Sequence, residues 1–309
     1  MSNSASDFAS SDGRVGSAKL SDSAERFAFG ENWTRFLNKL NGDRIQAAEK
    51  SLLDGLRLKS LAGLTFLDAG SGSGLFSLAA RNLGADVTSF DYDQESVACT
   101  AELKRRHWKD CDQWRVAQGS LLDQSFIEHL GTYDIVYCWG VAHHTGNLVK
   151  ALENIDLLAK RKGRIFLSIY NDQGTKSKVW FLIKRSYTNG SRLKKSFLVA
   201  AVSGYFRSQS AISRVPEFAA KLLRLQVPGP SKLIASVNST APAEQPPAAD
   251  PRGMDKRTDL IDWVGGFPFE VARPDAIFNF YASRGWALIG LKTSGGGLGC
   301  NEFVFSRDR

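Results

Sequence analysis

The sequence of 309 residues lacks the features that mark secreted, zinc-binding or membrane-spanning proteins. Its four cysteines, Cys99, Cys111, Cys138 and Cys300, form no C-x-x-C pair, and no histidine cluster accompanies them at zinc-ligand spacing. We therefore interpret them as reduced thiols and expect no bound metal. No apolar run reaches the roughly 18 residues of a membrane-spanning helix, and no basic-then-apolar leader opens the chain. These absences predict a cytoplasmic protein.

Acidic residues are scarce in one long segment of the chain. Between residues 171 and 232 only Asp172 and Glu217 are acidic, whereas twelve residues are lysine or arginine. Because the whole chain has a net charge of +8, this segment holds the excess positive charge and the remainder is nearly neutral. The twelve are Lys176, Lys178, Lys184, Arg185, Arg192, Lys194, Lys195, Arg207, Arg214, Lys221, Arg224 and Lys232.

Short β-rich runs alternate with helical patterns along much of the chain, which is typical of an open α/β sheet with parallel strands. The spacing of apolar residues predicts helices after Gly74, over 94–106 and 147–159, and within 29–61. A further helix over 274–283 precedes two closing strands. The predicted strands are 64–67, 87–90, 114–117, 135–138, 165–170, 287–292 and 302–306.

The same patterns divide the chain into a core and an insertion. We predict a disordered tail over residues 1–24 and an α/β core over 25–172 and 256–309. Between the two parts of the core, residues 173–255 are predicted to form a basic helical insertion that acts as a lid. Within it, the proline-rich stretch 236–252 is predicted to be a linker.

A glycine-rich loop leaves the first predicted strand and enters a helix, with the sequence DAGSGSG at 68–74. A dinucleotide-binding fingerprint reads G-x-G-x-x-G/A, but here residue 75 is leucine and the third glycine is Gly74. Asp68 stands two residues before Gly70, where a carboxylate would disfavour an anionic pyrophosphate. The loop is therefore better suited to a ligand with ammonium and sulfonium charges.

An acidic residue ends the second predicted strand. Asp91 lies 17 residues after Gly74, which suits one helix followed by one strand. Its carboxylate is placed to accept hydrogen bonds from both hydroxyls of a ribose. The alternative is that Asp91 caps the next helix, but Asp93 suits that position better.

With these motifs, the sequence resembles the class I S-adenosylmethionine-dependent methyltransferases. The resemblance extends to AQGSLLD at 117–123, to YDIVYCWGVAHH at 133–144 and to the closing helix, strand, glycine turn and strand. More narrowly, FAFGENW at 27–33, WGVAHHTGN at 139–147 and DWVGGFPFEVA at 262–272 resemble a bacterial subgroup near the methyltransferases that O-methylate ubiquinone precursors. The resemblance implies a Rossmann-like open sheet, mostly parallel with an antiparallel last strand, and a helical insertion after the fifth strand.

The resemblance also implies S-adenosylmethionine as the cofactor. Asp68 and the glycine loop would shape the pocket for its methionine part, and Trp139 would form a wall of that pocket or belong to the core. Ser120 replaces the usual aspartate of the family, which weakens the expected contact with adenine, whereas Leu121 would pack on the ring. The implied cofactor residues are Asp68, Gly70, Ser71, Gly72, Gly74, Asp91, Tyr92, Ser120, Leu121 and Trp139.

Candidates for the chemistry follow the fourth and fifth strands. His143 and His144 are placed at the ligand edge of the sheet, where an imidazole can act as a general base, and His144 aligns with a frequent E-H or H-H pair of the family. The alternative is that one histidine packs under the loop and the other is solvated. Tyr170 and Asn171 are candidate acceptor contacts. Cys138 is interpreted as structural, because it lacks the preceding proline of cytosine methyltransferases.

Together these features predict an S-adenosylmethionine-dependent methyltransferase that O-methylates a small or lipophilic acceptor. An RNA methyltransferase and a non-catalytic S-adenosylmethionine-binding module are the alternatives. The basic segment fits a cap with a solvated face, an anionic membrane surface or nucleic-acid phosphates. Because apolar bulk accompanies its cations, we favour a lipid-linked acceptor over nucleic acid and expect a cytoplasmic protein that contacts the inner face of a membrane.

Overall fold

The computed structural model describes residues 26–223, 251–295 and 297–307. Side chains are described there except at positions 209–223 and 256. The predicted tail over 1–24 and most of the predicted linker over 236–252 lie outside the described residues.

Seven strands form one sheet: β1 (Thr65–Ala69), β2 (Asp86–Asp91), β3 (Trp114–Gln118), β4 (Tyr133–Trp139), β5 (Ala159–Tyr170), β6 (Ala287–Lys292) and β7 (Cys300–Ser306). Their order across the sheet is β3-β2-β1-β4-β5-β7-β6. The neighbours from β3 to β5 pair in parallel, and β7 pairs antiparallel with both β5 and β6. The predicted open sheet, mostly parallel with its last strand reversed, is confirmed.

The described helices flank this sheet. They are α1 (Phe29–Leu37), α2 (Gly42–Leu56), α3 (Leu75–Asn82), α4 (Gln94–His107), α5 (Gln124–Leu130), α6 (Leu148–Leu158), α7 (Thr175–Thr188), α8 (Arg192–Leu223), α9 (Lys256–Gly265) and α10 (Pro274–Ala282). Side-chain oxygens of aspartate or asparagine accept a backbone N–H at the start of several of them, which stabilises those ends. One of these residues is Asp93 at the start of α4, so the prediction that Asp93 caps this helix is confirmed.

The core lies on both faces of the sheet, because successive side chains of a strand point to opposite sides. On β5, Leu167 belongs to the cluster under α6 and α10, whereas Phe166 belongs to the cluster under α1 to α4. A third cluster joins α7, α8 and α9 around Trp180, Tyr187 and Val264. The helices of the basic segment are therefore packed against the body of the protein.

The basic segment is helical over α7 and α8, as predicted. That this segment is an insertion relative to the methyltransferase family stays a prediction, and so do the domain boundaries. A cap with a solvated basic face would leave the lysines exposed, but the side chain of Lys184 is fully buried. Its position on α7 places it among the buried Ser177, Trp180 and Tyr187.

The sheet positions the functional groups at one edge. Parallel pairing aligns Ala69 with Phe90, and Trp139 with Ser168, so the carboxyl ends of β1, β2, β4 and β5 meet there. Open α/β sheets bind ligands at this edge, where the chain reverses its direction across the sheet. The fold therefore brings the glycine loop, Asp91 and the histidine turn after β4 to a common site.

Candidate functional site

A cavity of about 740 Å³ opens at this edge of the sheet, within the size range of small-molecule sites. Its walls come from the loops after β1, β2, β3 and β4, from the segment around α1, and from α9. The predicted residues that line it are Asp68, Gly70, Ser71, Gly72, Asp91, Tyr92, Ser120, Leu121, Trp139, His144 and Tyr170. Three other predicted residues, Gly74, His143 and Asn171, lie outside the lining.

The glycine loop requires its glycines at two positions. Gly70 and Gly72 have φ values of +88° and +53°, which side chains rarely adopt. A Cβ at Gly70 would lie 2.4 Å from Val141, and one at Gly72 would lie 2.9 Å from the indole nitrogen of Trp33. Trp33 therefore lies directly against the loop and covers the cavity from the side of α1.

Two carboxylates lie under the loop. Asp91 Oδ2 accepts a hydrogen bond from the Gly72 N–H at 2.9 Å, and its Oδ1 accepts one from the Asp93 N–H at 2.9 Å. Asp68 accepts a hydrogen bond from the Ser77 hydroxyl at 2.5 Å. Burial raises the pKa of Asp91 to about 6 and that of Asp68 to about 7, since water no longer solvates their charges. A cationic ligand would favour the ionised form of both.

The part of the cavity lined by the loop after β3 is less polar than the part under the glycine loop. Leu121 is buried and lines the wall beside Phe90, and the Ser120 hydroxyl accepts a hydrogen bond from the Leu122 N–H at 3.1 Å. Tyr92, at 52% exposure, flanks the mouth. A flat heterocycle would find an apolar wall here together with a few polar groups.

Arg26 ties the two sides of the cavity mouth together. Its guanidinium lies 4.7 Å from the centre of the Tyr92 ring. It also donates hydrogen bonds to the carbonyl oxygens of His144 at 3.3 Å and Thr145 at 3.0 Å. The chain before α1 thus bridges the β2 side and the β4 side of the cavity.

His144 presents one ring nitrogen as a proton acceptor. Its Nδ1 lies 2.6 Å from the Pro268 carbonyl oxygen, and because that oxygen can only accept, Nδ1 carries the proton and Nε2 keeps its lone pair. Burial, helped by the positive charge of Lys184, lowers the pKa of His144 to about 3. The imidazole is therefore neutral at any pH near neutrality.

His143 has the environment of a packing residue. It is fully buried, and within the described part of the chain neither of its ring nitrogens has a hydrogen-bond partner. Its ring lies 4.0 Å from that of Tyr170 and 4.4 Å from that of His144. Burial holds its pKa well below the ordinary value.

Three other residues singled out in the sequence support the site from outside its lining. Gly74 begins α3 against Thr100. The Asn171 amide donates to the Gly297 carbonyl oxygen at 3.3 Å, and its Oδ1 accepts a hydrogen bond from Asn301 at 3.0 Å, so it holds the loop before β7. Cys138 is fully buried, and burial raises the pKa of its thiol to about 12, which leaves it unreactive near neutral pH.

The chain is similar in sequence to known methyltransferases. A family described as a methyltransferase domain matches residues 67–165, which run from β1 into β5. This stretch of the chain is similar to methyltransferase domains. Among curated relatives, the ubiquinone biosynthesis O-methyltransferase of Leptothrix cholodnii is 27% identical over 155 residues, covering 50% of this chain and 62% of the relative. That of Xanthomonas oryzae pv. oryzae is 30% identical over 111 residues, covering 36% of this chain and 45% of the relative.

The matched part of the chain thus spans about half the length of these curated relatives. Among solved structures, an O-methyltransferase family protein from Burkholderia thailandensis has a TM-score of 0.49 at 14% identity, covering 93% of this chain and 65% of that chain. Magnesium protoporphyrin IX methyltransferase from Synechocystis PCC 6803 with bound SAH has a TM-score of 0.47 at 16% identity, covering 90% of this chain and 93% of that chain.

Beyond the residues that match the methyltransferase domain, α9 brings an additional carboxyl group to the cavity. Asp262 is half-buried in the lining, and its Oδ1 accepts a hydrogen bond from the Asn32 amide at 2.8 Å. Burial raises its pKa to about 8. The group is therefore largely protonated at neutral pH and able to donate a hydrogen bond. The segment at 262–272 pointed to this region, but nothing in its pattern indicated a role for the carboxyl group.

Lys184 lies behind the acceptor side of the cavity. Its ammonium donates to the Trp263 carbonyl oxygen and lies 4.9–5.0 Å from the ring centres of Tyr170, Trp263 and Phe269. Burial lowers its pKa to about 7. Its spacing from the buried Trp180 and Tyr187 at i−4 and i+3 was the available signal that this lysine faces inward.

Asp262→Asn is expected to stabilise the ligand-free protein at alkaline pH. Because the pKa of Asp262 is raised in the folded state, ionisation opposes folding, and the free energy of unfolding falls as pH rises from about 4 to about 8. Asparagine keeps the oxygen that accepts from Asn32. The advantage of the variant should grow over that range to roughly 2–4 kcal/mol and then stay constant.

Urea unfolding of both proteins across this pH range measures the difference. Asp275→Asn, which removes an exposed carboxylate paired with Arg273, is the control. The other titratable groups are present in both proteins and cancel in the comparison. A stability difference between Asp262→Asn and the parent that does not change with pH would contradict the assignment.

Proposed function

We propose that this protein is an S-adenosylmethionine-dependent methyltransferase that transfers a methyl group to an oxygen of a neutral, small or lipophilic acceptor. The observation that carries the proposal is the pair of buried carboxylates under the glycine loop, with Asp91 bonded to the Gly72 amide beside Asp68. The names of the curated relatives support the reaction type and favour neither an RNA methyltransferase nor a non-catalytic module.

The residues present fit this cofactor. Asp91 would accept the ribose hydroxyls, and Ser120 and Leu121 would flank the adenine. Asp68 and the loop would face the methionine part. Because burial raises the pKa of Asp68, a positively charged group beside it would stabilise the ionised carboxylate. When bound, S-adenosylmethionine supplies an electrophilic methyl group next to a sulfonium charge.

The acceptor would lie between the histidine turn and α9. Apolar and aromatic groups, among them Phe29, Trp263 and Phe267, line this side together with His144 and Asp262. In our proposal, His144 Nε2 takes the proton of the acceptor hydroxyl, and the protonated Asp262 donates a hydrogen bond to a neutral polar group of the acceptor. An anionic acceptor would be disfavoured, because acidic residues outnumber basic ones in the lining as a whole.

The remaining task of the chain is to position the two reactants and exclude water. Trp33 covers the glycine loop, and Arg26 links Tyr92 to the histidine turn. Glu270 accepts hydrogen bonds from the N–H groups of Gly146 and Leu148, each at 3.1 Å. These contacts fix the turn that carries His144, so that Nε2 has a defined position.

Calorimetric titration of the purified chain with S-adenosylhomocysteine and S-adenosylmethionine tests the proposal. We expect saturable binding of both at one site per chain. NADH is the control ligand, because its pyrophosphate would meet the carboxylate of Asp68. Binding of NADH but of neither adenosyl compound, by protein whose fold is verified by circular dichroism, would contradict the proposal.

A further inference from the structure

The four most exposed large apolar side chains in the described part of the chain lie on two consecutive helices, α7 and α8. They are Leu193 at 85%, Phe197 at 71%, Leu182 at 63% and Val179 at 56% exposure. Single exposed apolar residues are common on protein surfaces, but a concentration of them on one element indicates a contact with another molecule.

These side chains are opposite the packed faces of their helices. On α7, the buried Trp180 and Lys184 define the inner face, and at 100° per residue Leu182 lies on the outer side with Lys178 one turn before it. Lys178 is also exposed. The outer face of α7 therefore combines an apolar centre with a cation at its edge.

The same arrangement recurs on α8. Val202 is buried against the body of the protein, whereas Leu193 and Phe197 are one turn apart on the opposite side. Lys194 follows Leu193 directly and is exposed. Two helices thus present matching outer faces, which we call the α7–α8 outer face, defined by Lys178, Val179, Leu182, Leu193, Lys194 and Phe197.

The charged residues of the segment that carries this face are all basic. From residue 173 to residue 208 the sequence holds no aspartate or glutamate, and Lys176, Lys178, Arg192 and Lys194 are all exposed. None of the helices in the described ranges is long and apolar enough to cross a bilayer. Apolar residues bordered by cations on a helix that cannot span are the pattern of binding to a membrane surface.

We propose that the α7–α8 outer face docks on an anionic phospholipid membrane. Leu182, Leu193 and Phe197 would enter the boundary between headgroups and acyl chains, while the lysines approach lipid phosphates. Nucleic acid would use the cations but gain little from exposed leucines. Neutral lipid would lose the electrostatic attraction, so the proposal is specific for anionic headgroups.

The inner faces of the same helices connect this surface to the cavity. Both α7 and α8 pack against α9, which contributes Asp262 and Trp263 to the cavity lining. A membrane on the outer face would therefore lie on the acceptor side of the protein. This placement suits a lipophilic acceptor, although the docking itself is independent of methyl transfer.

Vesicle flotation of the full chain tests the proposal, with phosphatidylcholine vesicles compared with an equal mixture of phosphatidylcholine and phosphatidylglycerol. We expect binding to the anionic vesicles only, weakened by salt. Leu193→Ser/Phe197→Ser should lower the partition coefficient by about tenfold or more, and Lys178→Ser/Lys194→Ser by about 10- to 30-fold. The circular dichroism spectrum of each variant shows whether it is folded.

A control variant removes two exposed apolar side chains elsewhere. Leu157→Ser/Phe278→Ser, on α6 and α10, changes side chains at 55% and 42% exposure and should leave vesicle binding unchanged. Equal loss in the control, or full binding after Leu193→Ser/Phe197→Ser, would overturn the proposal. So would binding to RNA that competes with vesicles and is insensitive to the apolar substitutions, or a dimer that those substitutions dissociate while vesicles do not bind.

Discussion

Replacing His144 by alanine should lower the rate of methyl transfer at saturating S-adenosylmethionine by about 10²- to 10⁴-fold, the usual contribution of a positioned general base. The geometry supports the role, because the Pro268 carbonyl fixes Nδ1 as the donor and leaves Nε2 to accept a proton. Because the pKa of His144 is lowered to about 3, the imidazole is a weak base and the effect should lie at the lower end of this range. Transfer of a labelled methyl group into a total extract of small molecules and lipids measures the rate even while the acceptor is unidentified.

The pH dependence sharpens this prediction. Since the pKa of His144 is lowered to about 3, its imidazole stays neutral as the pH falls through 6.5, and the rate should show no loss from this group between about pH 5 and 8. An exposed histidine in the same role would lose activity below its ordinary pKa. A rate that depends on His144 and falls with an apparent pKa near 6.5 would therefore contradict the buried geometry.

Two substitutions serve as references for His144→Ala. His129 is exposed, and its Nδ1 also contacts a backbone carbonyl oxygen, that of Ser125 at 2.6 Å, so His129→Ala tests the removal of a comparable ring remote from the cavity. His143→Leu tests the neighbouring ring, which has no place in the cavity lining. If His143→Leu abolishes transfer with the cofactor still bound, while His144→Ala retains it, the assignment of the base is wrong.

The sheet was accessible to sequence reasoning because its signals are local. The strand before the glycine loop and the strand that ends at Asp91 are short β-rich runs between helical patterns, and this alternation predicts a parallel α/β sheet. The antiparallel β7 followed only from the resemblance to a known family. The boundaries moved by a few residues, most at β5, which begins at Ala159 directly after α6.

The cofactor side of the cavity was predictable for the same reason, since Gly70, Gly72 and Asp91 stand in one contiguous motif region. The acceptor side was predicted only in part, at His144 and Tyr170, because its other groups come from distant parts of the chain. Phe29 and Asp262 stand 233 positions apart in the sequence, and tertiary packing alone brings both to one cavity. Nor does residue type reveal that Lys184 is buried, since lysine is seldom found inside a protein.

The buried carboxyl groups show how fold and ligand depend on each other. Asp68 and Asp91 are held by hydrogen bonds from Ser77 and Gly72, yet burial still raises the pKa of each. In the ligand-free protein this arrangement opposes ionisation, and a bound cation would relieve that opposition. The site thus gives up some stability in return for a strong preference for a positively charged ligand, and the raised pKa values make this cost larger at Asp68 than at Asp91.

Asp91→Ala should weaken the binding of S-adenosylhomocysteine by about 1.5–3 kcal/mol, which is roughly ten- to over a hundredfold in the dissociation constant, because charge-assisted hydrogen bonds to the ribose are lost. Asp91→Asn keeps one oxygen that can accept from the Gly72 N–H, although it removes the charge and the second oxygen, which accepts from the Asp93 N–H. Its loss of affinity should therefore be smaller than that of Asp91→Ala. Calorimetric titration of the three proteins gives both differences.

The pH dependence of binding separates this role from a structural one. Because the pKa of ligand-free Asp91 is raised to about 6 and the ribose hydroxyls prefer the ionised carboxylate, the affinity should increase as the pH rises from about 5 to about 7. Asp91→Asn should remove that part of the increase and leave the part that belongs to Asp68, whose pKa is about 7.

Asp54→Asn, which removes an exposed carboxylate of α2 paired with Lys50, should bind like the parent. An Asp91→Ala protein that binds as tightly as the parent would show that the ribose lies elsewhere, and the cofactor assignment of the whole glycine loop would have to be revised with it.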